Sequence, residues 1–278
     1  MTNDGMANGT IATRGTHGEG GAGGVCVVFG AGEYYHGPHD RPVVPPGAFV
    51  IAADGGLDHA RALGVRVHVV VGDFDSLTGV PPRAAGDAAD SVGDTVVLPP
   101  QKDDPDLLSA LKIGWTHGMR EFHVYGGLGG RVDHSLSGVI LMALLASHGG
   151  IGFLHGAGTV VTAITDGRLS FAAHDVAPGR MVSVFSHSDI SHDVNEPGLK
   201  YRLEHGTLTN TMVQGVSNEF LPGVPASIDV RRGTLIVTFP AEAPRPVATR
   251  FHAFDDAADA LGAVSADVSA LLDPRARR

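Results

Sequence analysis

Short apolar runs alternate with helical patterns through the first half of the chain. The runs are VCVVF at 25–29, AFVIA at 48–52, VHVVV at 67–71, TVVL at 95–98 and EFHVY at 121–125. Helical patterns cover 56–64, 105–118 and 133–149, and in the last of these Leu136, Ile140, Leu141, Leu144 and Leu145 recur at helical spacing. Alternation of this kind predicts βαβ units and a mostly parallel sheet. After about residue 150 the pattern changes to short segments such as TVVTAIT, RLSFAA, RMVSVFS, GTLTNTM, ASIDVRR and TLIVTFP, separated by Gly, Pro and Asp. These predict an antiparallel β-sandwich domain. Residues 1–24 read as a flexible leader, 25–150 as the α/β domain, 151–240 as the sandwich and 241–278 as a C-terminal extension, with a helical pattern over 255–272.

Composition narrows the classes. With 43% hydrophobic and 18% charged residues in 278, the chain fits a soluble globular protein of one large or two ordinary domains. No apolar run approaches the ~20 residues of a membrane helix, and the start lacks the basic and apolar stretches of a secretory signal, so a cytoplasmic place is expected. A formal charge of −10 argues against broad nucleic-acid binding. The single cysteine, Cys26, rules out an internal disulfide or a multi-Cys zinc site and reads as a packed thiol. His36, His39, His187 and His192 lie in turn-like stretches and read as solvated surface.

Loop chemistry then changes the picture. In an open parallel sheet, ligands bind outside the carboxyl ends of the strands. There the loops are GAGEYY, ADGG with Asp54, GDFDS with Asp73 and Asp75, PPQKDDPD with Lys102, Asp103, Asp104 and Asp106, and GGLGGRVDH with Arg131 and Asp133. Asp73 and Asp75 are one residue apart and point the same way in an extended chain, so they call for a positive partner. Their repulsion at 4 Å would be roughly 4 kcal/mol in a surface-like dielectric. Carboxylates with glycines for close backbone approach suit Mg²⁺ and a polyphosphate, and Arg131 can fork onto phosphate oxygens. No P-loop and no G-x-S-x-G elbow occurs, and Tyr35 stands in the third glycine position of a dinucleotide fingerprint.

The pieces DGG at 54–56, GDFDSL at 72–77, KDDPD at 102–106, GGRVDH at 129–134, GLKYRL at 198–203 and TLTN with GVSNE across 207–219 resemble, in order, those of the thiamine pyrophosphokinase family. The resemblance covers roughly 25–240. It implies an α/β catalytic domain with a β-sandwich, a homodimer with thiamine bound between subunits, and transfer of the ATP pyrophosphoryl group to thiamine, releasing AMP. It implies further that Asp73, Asp75 and Asp106 hold Mg²⁺, that Arg131 contacts phosphates, and that Asp133 orients substrate or acts as base. Asp54, Gly55, Lys102 and Asp103 would line the ligand pocket, and Ser217, Asn218 and Glu219 would lie near thiamine. Pro105 and Gly138 depart from the family pattern, which usually has Thr and Asn there. The readings that compete are transfer to another hydroxymethyl heterocycle, such as a pterin, and a nucleotide or thiamine sensor without chemistry.

Overall fold

The computed structural model describes residues 23–73, 92–98 and 104–265, apart from 176 and 178. Six strands pair in parallel: β1 (Gly24–Phe29), β2 (Phe49–Ala53), β3 (Val67–Gly72), β4 (Val92–Val97), β5 (Met119–Tyr125) and β6 (Ile151–Gly156), in the order β6-β5-β1-β2-β3-β4. The order reverses between β1 and β5, a switch point where the loops of neighbouring strands diverge and leave a crevice.

Both faces of this sheet are covered, which is why its strands are continuous apolar runs. On one face, α2 (Asp106–Thr116) and α3 (Val132–Ser147) pack on Cys26, Val28, Ile51, Phe122, Val124 and Leu154. On the other, α1 (Gly56–Ala62) packs through Leu57 and Ala60 on Val27, Phe29, Val50 and Ala52. Cys26 is fully buried, and burial pushes its thiol pKa upward, as a packed thiol requires.

The antiparallel half is built on two long strands, β7 (Thr159–Phe171) and β12 (Ala226–Pro240). Segments that look separate in sequence, 159–165 with 168–171 and 226–232 with 234–240, are joined within these strands. A register shift between Val230 and Thr234 divides β12. Its later part pairs with β8 (Met181–Ser186), itself paired with β11 (Asn218–Glu219). Its earlier part pairs with β9 (Ile190–Asn195), followed by β10 (Gly206–Thr209). A further strand, β13 (Val247–Arg250), lies along the lower half of β7. Phe153, Ile164, Leu169, Phe171, Ile228, Leu235 and Val237 fill the core of this half.

Three expectations need correction. No boundary separates two sheets near residue 150, because β6 is parallel to β5 and antiparallel to β7. The hydrophobic cluster under α3 also takes in Val161, Ala163 and Ile236 from the antiparallel half. His192 lies in strand β9 rather than in a turn. Within the described part of 255–272 there is no helix; residues 258–261 form a turn and the rest is irregular. Residues 1–22 and 266–278 lie outside the described residues. Among the described residues, no helix is long and apolar enough to cross a membrane.

Beside the core, His123 Nε2 donates to Glu121 at 3.0 Å, and His123 Nδ1 meets His155 Nε2 at 3.0 Å. Tyr125 stacks on His155 with ring centroids 4.4 Å apart. Burial, followed by the nearby His123, lowers the His155 pKa to about 3. The folded protein thus keeps His155 neutral while the unfolded chain binds a proton below pH about 6.5. Stability from this residue is therefore full above pH about 6.5 and falls as the pH drops toward about 3. His155→Phe is expected to shrink the difference in unfolding free energy between neutral and mildly acidic buffer, measured by urea titration at both pH values.

Candidate active site

Close backbone approach shapes the floor of the crevice at the switch point. The amide of Gly30 donates to the Tyr125 carbonyl at 2.8 Å and that of Gly32 to the Gly126 carbonyl at 3.0 Å. The glycines of GAGEYY therefore join β1 to the loop after β5. Above this floor opens a cleft of about 670 Å³, lined among others by Glu33, Asp54, Asp106, Arg131, Asp133 and Ser137.

Asp54 follows β2 with φ +48, a conformation Asp tolerates better than most residues. Its amide donates to the Val71 carbonyl at 2.9 Å, and its Oδ1 accepts the Asp73 amide at 3.1 Å. The carboxylate thus crosses from the end of β2 to the end of β3. Gly72 makes room, since a Cβ there would overlap Asp54 Oδ1. Gly55 is half-buried at the start of α1 and is not among the residues lining the cleft. Asp73 is the last described residue of its segment, and Asp75 lies outside the described residues, as do Lys102 and Asp103.

The KDDPD loop divides its acids. Asp104 is buried and accepts from Lys112 Nζ at 2.6 Å, away from the solvent of the cleft. Asp106 opens α2 and lines the cleft with Pro105. The expectation that every loop acid crowds the cleft is therefore corrected for Asp104, whose charge is answered by α2 itself.

At the cleft mouth, Arg131 precedes α3 and Asp133 lies in its first turn. They form a two-point ion pair, Nη2–Oδ2 at 2.6 Å and Nε–Oδ1 at 3.2 Å, with both side chains exposed. The hydrogen bond from Arg131 holds the Asp133 carboxyl below its usual range, which makes Asp133 a weak proton acceptor. Ser135 Oγ accepts the Gly129 amide at 2.9 Å and fastens the glycine loop to α3. Gly138 is buried, and a Cβ there would sit 2.9 Å from the Gly127 carbonyl and 3.0 Å from Leu154. The helix lies too close to the loop here for a longer side chain without movement.

Glu33 was not singled out from the sequence, although it belongs to the GAGEYY loop. It accepts from Tyr35 Oη at 2.8 Å and lies over Gly129 and Gly130. Its signal was its place after β1, at the switch point.

Ser217, Asn218 and Glu219 are not among the residues lining this cleft. Ser217 has φ +62, and its amide donates to Ser183 Oγ at 3.1 Å. Asn218 is buried; its amide group donates to Glu196 and the Tyr201 carbonyl and accepts from the Tyr201 and Glu219 amides. These bonds fix the 196–201 turn. Glu219 accepts from Lys200 at 2.6 Å. A second cavity, of about 390 Å³, opens beside them and is lined by Glu196, Tyr201, Gln214, Val216 and Asn218.

Among the described residues, no group of three or more His, Cys, Asp or Glu side chains forms a complete metal shell. Mg²⁺ does not need one. It commonly takes one or two carboxylates and fills the rest of its octahedron with water and substrate phosphates. Of the acids at this edge, Asp54 and Asp106 line the cleft, while Asp73 stands at the end of β3 beside Asp54 and is not among the lining residues.

Gly72→Ala is expected to displace the Asp54 carboxylate and to cost about 1–3 kcal/mol by overpacking, read by urea denaturation. Gly138→Asn is expected to destabilise to a similar degree, although Asn is the residue more common in the motif. A stability equal to that of the parent would show that α3 can move away from the loop.

Residues 45–150 match the family model described as thiamin pyrophosphokinase, catalytic domain. Solved structures share the fold over most of the chain. The thiamine pyrophosphokinase of Bacillus subtilis has 20% identity and a TM-score of 0.64, covering 78% of this chain and 98% of its own. That of Geobacillus thermodenitrificans has 21% identity and a TM-score of 0.62, covering 78% and 97%. That of Candida albicans has 10% identity and a TM-score of 0.59, covering 78% and 88%. No curated protein matches the sequence.

Proposed function

We propose, from the premise that the chain belongs to the thiamine pyrophosphokinase family, that it transfers the pyrophosphoryl group of ATP to thiamine. The observation that supports this reading is that Asp54, Asp106 and the Arg131–Asp133 pair line one cleft within the matched segment, with the Asp73 amide bonded to Asp54 at its border. Such an edge suits a reaction that needs positioning and neutralisation of phosphate charge rather than a protein nucleophile.

In this reading the thiamine hydroxyl oxygen forms a bond to the β-phosphorus. The bond from that phosphorus to the oxygen bridging the α-phosphate breaks, AMP leaves with the electron pair, and the hydroxyl proton is released to solvent. Asp73 and Asp106 would hold Mg²⁺, with Asp75 as the third acid, and the ion would supply the positive charge that the triphosphate and the carboxylates require. Arg131 exchanges its exposed bond to Asp133 for a phosphate oxygen, which leaves Asp133 to orient the thiamine hydroxyl. Asp54 borders the nucleotide, with Lys102 and Asp103 from the loop after β4.

The thiamine end calls for a second copy. Val132, Leu136 and Ile140 form an exposed row on α3, at 73%, 59% and 54% exposure, directly beside Arg131 and Asp133. Met212, Val213, Val216, Leu221 and Val224 are likewise exposed around Ser217 and Glu219. Exposed apolar groups concentrated this way mark interaction surfaces. In an isologous homodimer the second patch of one copy covers the α3 row of the other, so that Ser217 and Glu219 complete the partner's cleft.

The reading is tested by phosphorus NMR of the protein with ATP, Mg²⁺ and thiamine. Thiamine diphosphate and AMP are the expected products, absent without the metal. Bound ATP without turnover would favour a sensor, and turnover only with a hydroxymethylpterin another acceptor. Asp73→Asn and Asp106→Asn are each expected to lower kcat by about 100-fold or more in a steady-state assay. Leu136→Asp is expected to shift the protein to monomer in analytical ultracentrifugation and to raise the thiamine KM.

A further inference from the structure

Beyond β13 the chain turns back along α2, passing from its C-terminal end to its N-terminal end. Arg120 donates to the Asp256 carbonyl at 2.6 Å, Trp115 Nε1 to Ala257 at 2.9 Å, Thr116 to Ala258 at 3.3 Å and Lys112 Nζ to Ala263 at 3.0 Å. The amide of Ser265 then donates to Asp104 Oδ2 at 3.4 Å. Leu261 is 8% exposed and inserts into the cluster that α2 shares with the sheet, with Ala260 and Val264 beside it. A segment held this way is a strap rather than a loose end.

The strap finishes at the corner that presents Asp106. Lys112 joins its two sides, bonding at once to the Ala263 carbonyl and the buried Asp104 carboxylate. Only Pro105 separates Asp104 from Asp106, and its ring fixes φ at −56°. A displacement of Asp104 is therefore transmitted to Asp106 with little slack.

We propose that residues 251–265 act as a positioning strap. Through Lys112 and Asp104 they set the stance of Asp106 at the cleft, so Lys112 and Asp104 are positioning residues rather than catalytic ones. This rests on the function proposed above only for the task given to Asp106.

The test uses the full chain carrying Asp104→Leu with Lys112→Met. Replacing both members of a buried ion pair by apolar groups preserves stability far better than removing one. Two readouts are taken: hydrogen exchange at the amides of Ser109, Ala110 and Leu111, and the Mg²⁺ concentration that gives half-maximal activity beside the thiamine KM. Exchange is expected to quicken by about 10-fold or more as the corner loosens. The half-maximal Mg²⁺ concentration is expected to rise by about 10-fold, with the thiamine KM changing less than about two-fold. Lys112→Arg, which keeps the charge, is expected to stay near the parent on both. Should the double variant fail to fold, a chain ended after Asp255 is measured in the same way.

A folded variant with unchanged exchange would overturn the strap. Faster exchange with an unchanged Mg²⁺ dependence would reduce it to a stabilising element and overturn its positioning role. If the parent chain forms no thiamine diphosphate, the functional reading fails by itself, and the exchange measurement still decides whether the strap holds the corner.

Discussion

The bond from the Asp73 amide to the Asp54 carboxylate ties the end of β3 to the end of β2, and much of the cleft depends on it. Parallel pairing brings strand ends together but leaves their loops free to splay. Here a side chain with left-handed backbone geometry crosses the gap, and Gly72 leaves the space it needs. Gly30 and Gly32 do the same between β1 and β5 through main-chain bonds. The acids at this edge are thus held by backbone geometry before any ligand arrives. A fixed arrangement of charge costs less reorganisation at the moment of reaction than one assembled on demand.

Charge is divided with similar economy. Asp104 and Asp106 are two residues apart yet do opposite things, one satisfied by Lys112 within the core and the other turned to the cleft. Arg131 and Asp133 sit exposed and answer each other at the cleft mouth, where an ion pair adds little to stability. The second motif, around Ser217, stands apart from this edge and is bordered by its own apolar surface. Each of the two regions lies beside an exposed apolar face.

The parallel half was legible because its strands are buried on both faces and its acids and glycines follow them directly. The antiparallel half was harder. Strand β9 carries polar residues on an outer position, and the long strands β7 and β12 contain turn-like residues, Asp166 and Gly233, that bend them without ending them. On α3, helical spacing alone could not separate Leu141 and Leu145, which face the core, from Leu136 and Ile140, which face solvent. The strap was invisible for a different reason. Its bonds run from side chains to carbonyls across 142 residues of sequence for Trp115 and Ala257, and no local pattern encodes such a pairing. Asn218 reads as a ligand contact in its motif, and its bonds within the 196–201 turn have no signal in the local pattern.

The central claim is that the carboxylates at the β2, β3 and α2 edge hold a divalent ion with the triphosphate. Electron paramagnetic resonance of Mn²⁺, standing in for Mg²⁺ in the presence of ATP, tests it most directly. A protein-bound Mn²⁺–nucleotide signal is predicted for the parent chain, lost in folded Asp73→Asn and Asp106→Asn variants. The same signal in parent and variants would contradict the claim and place the metal elsewhere.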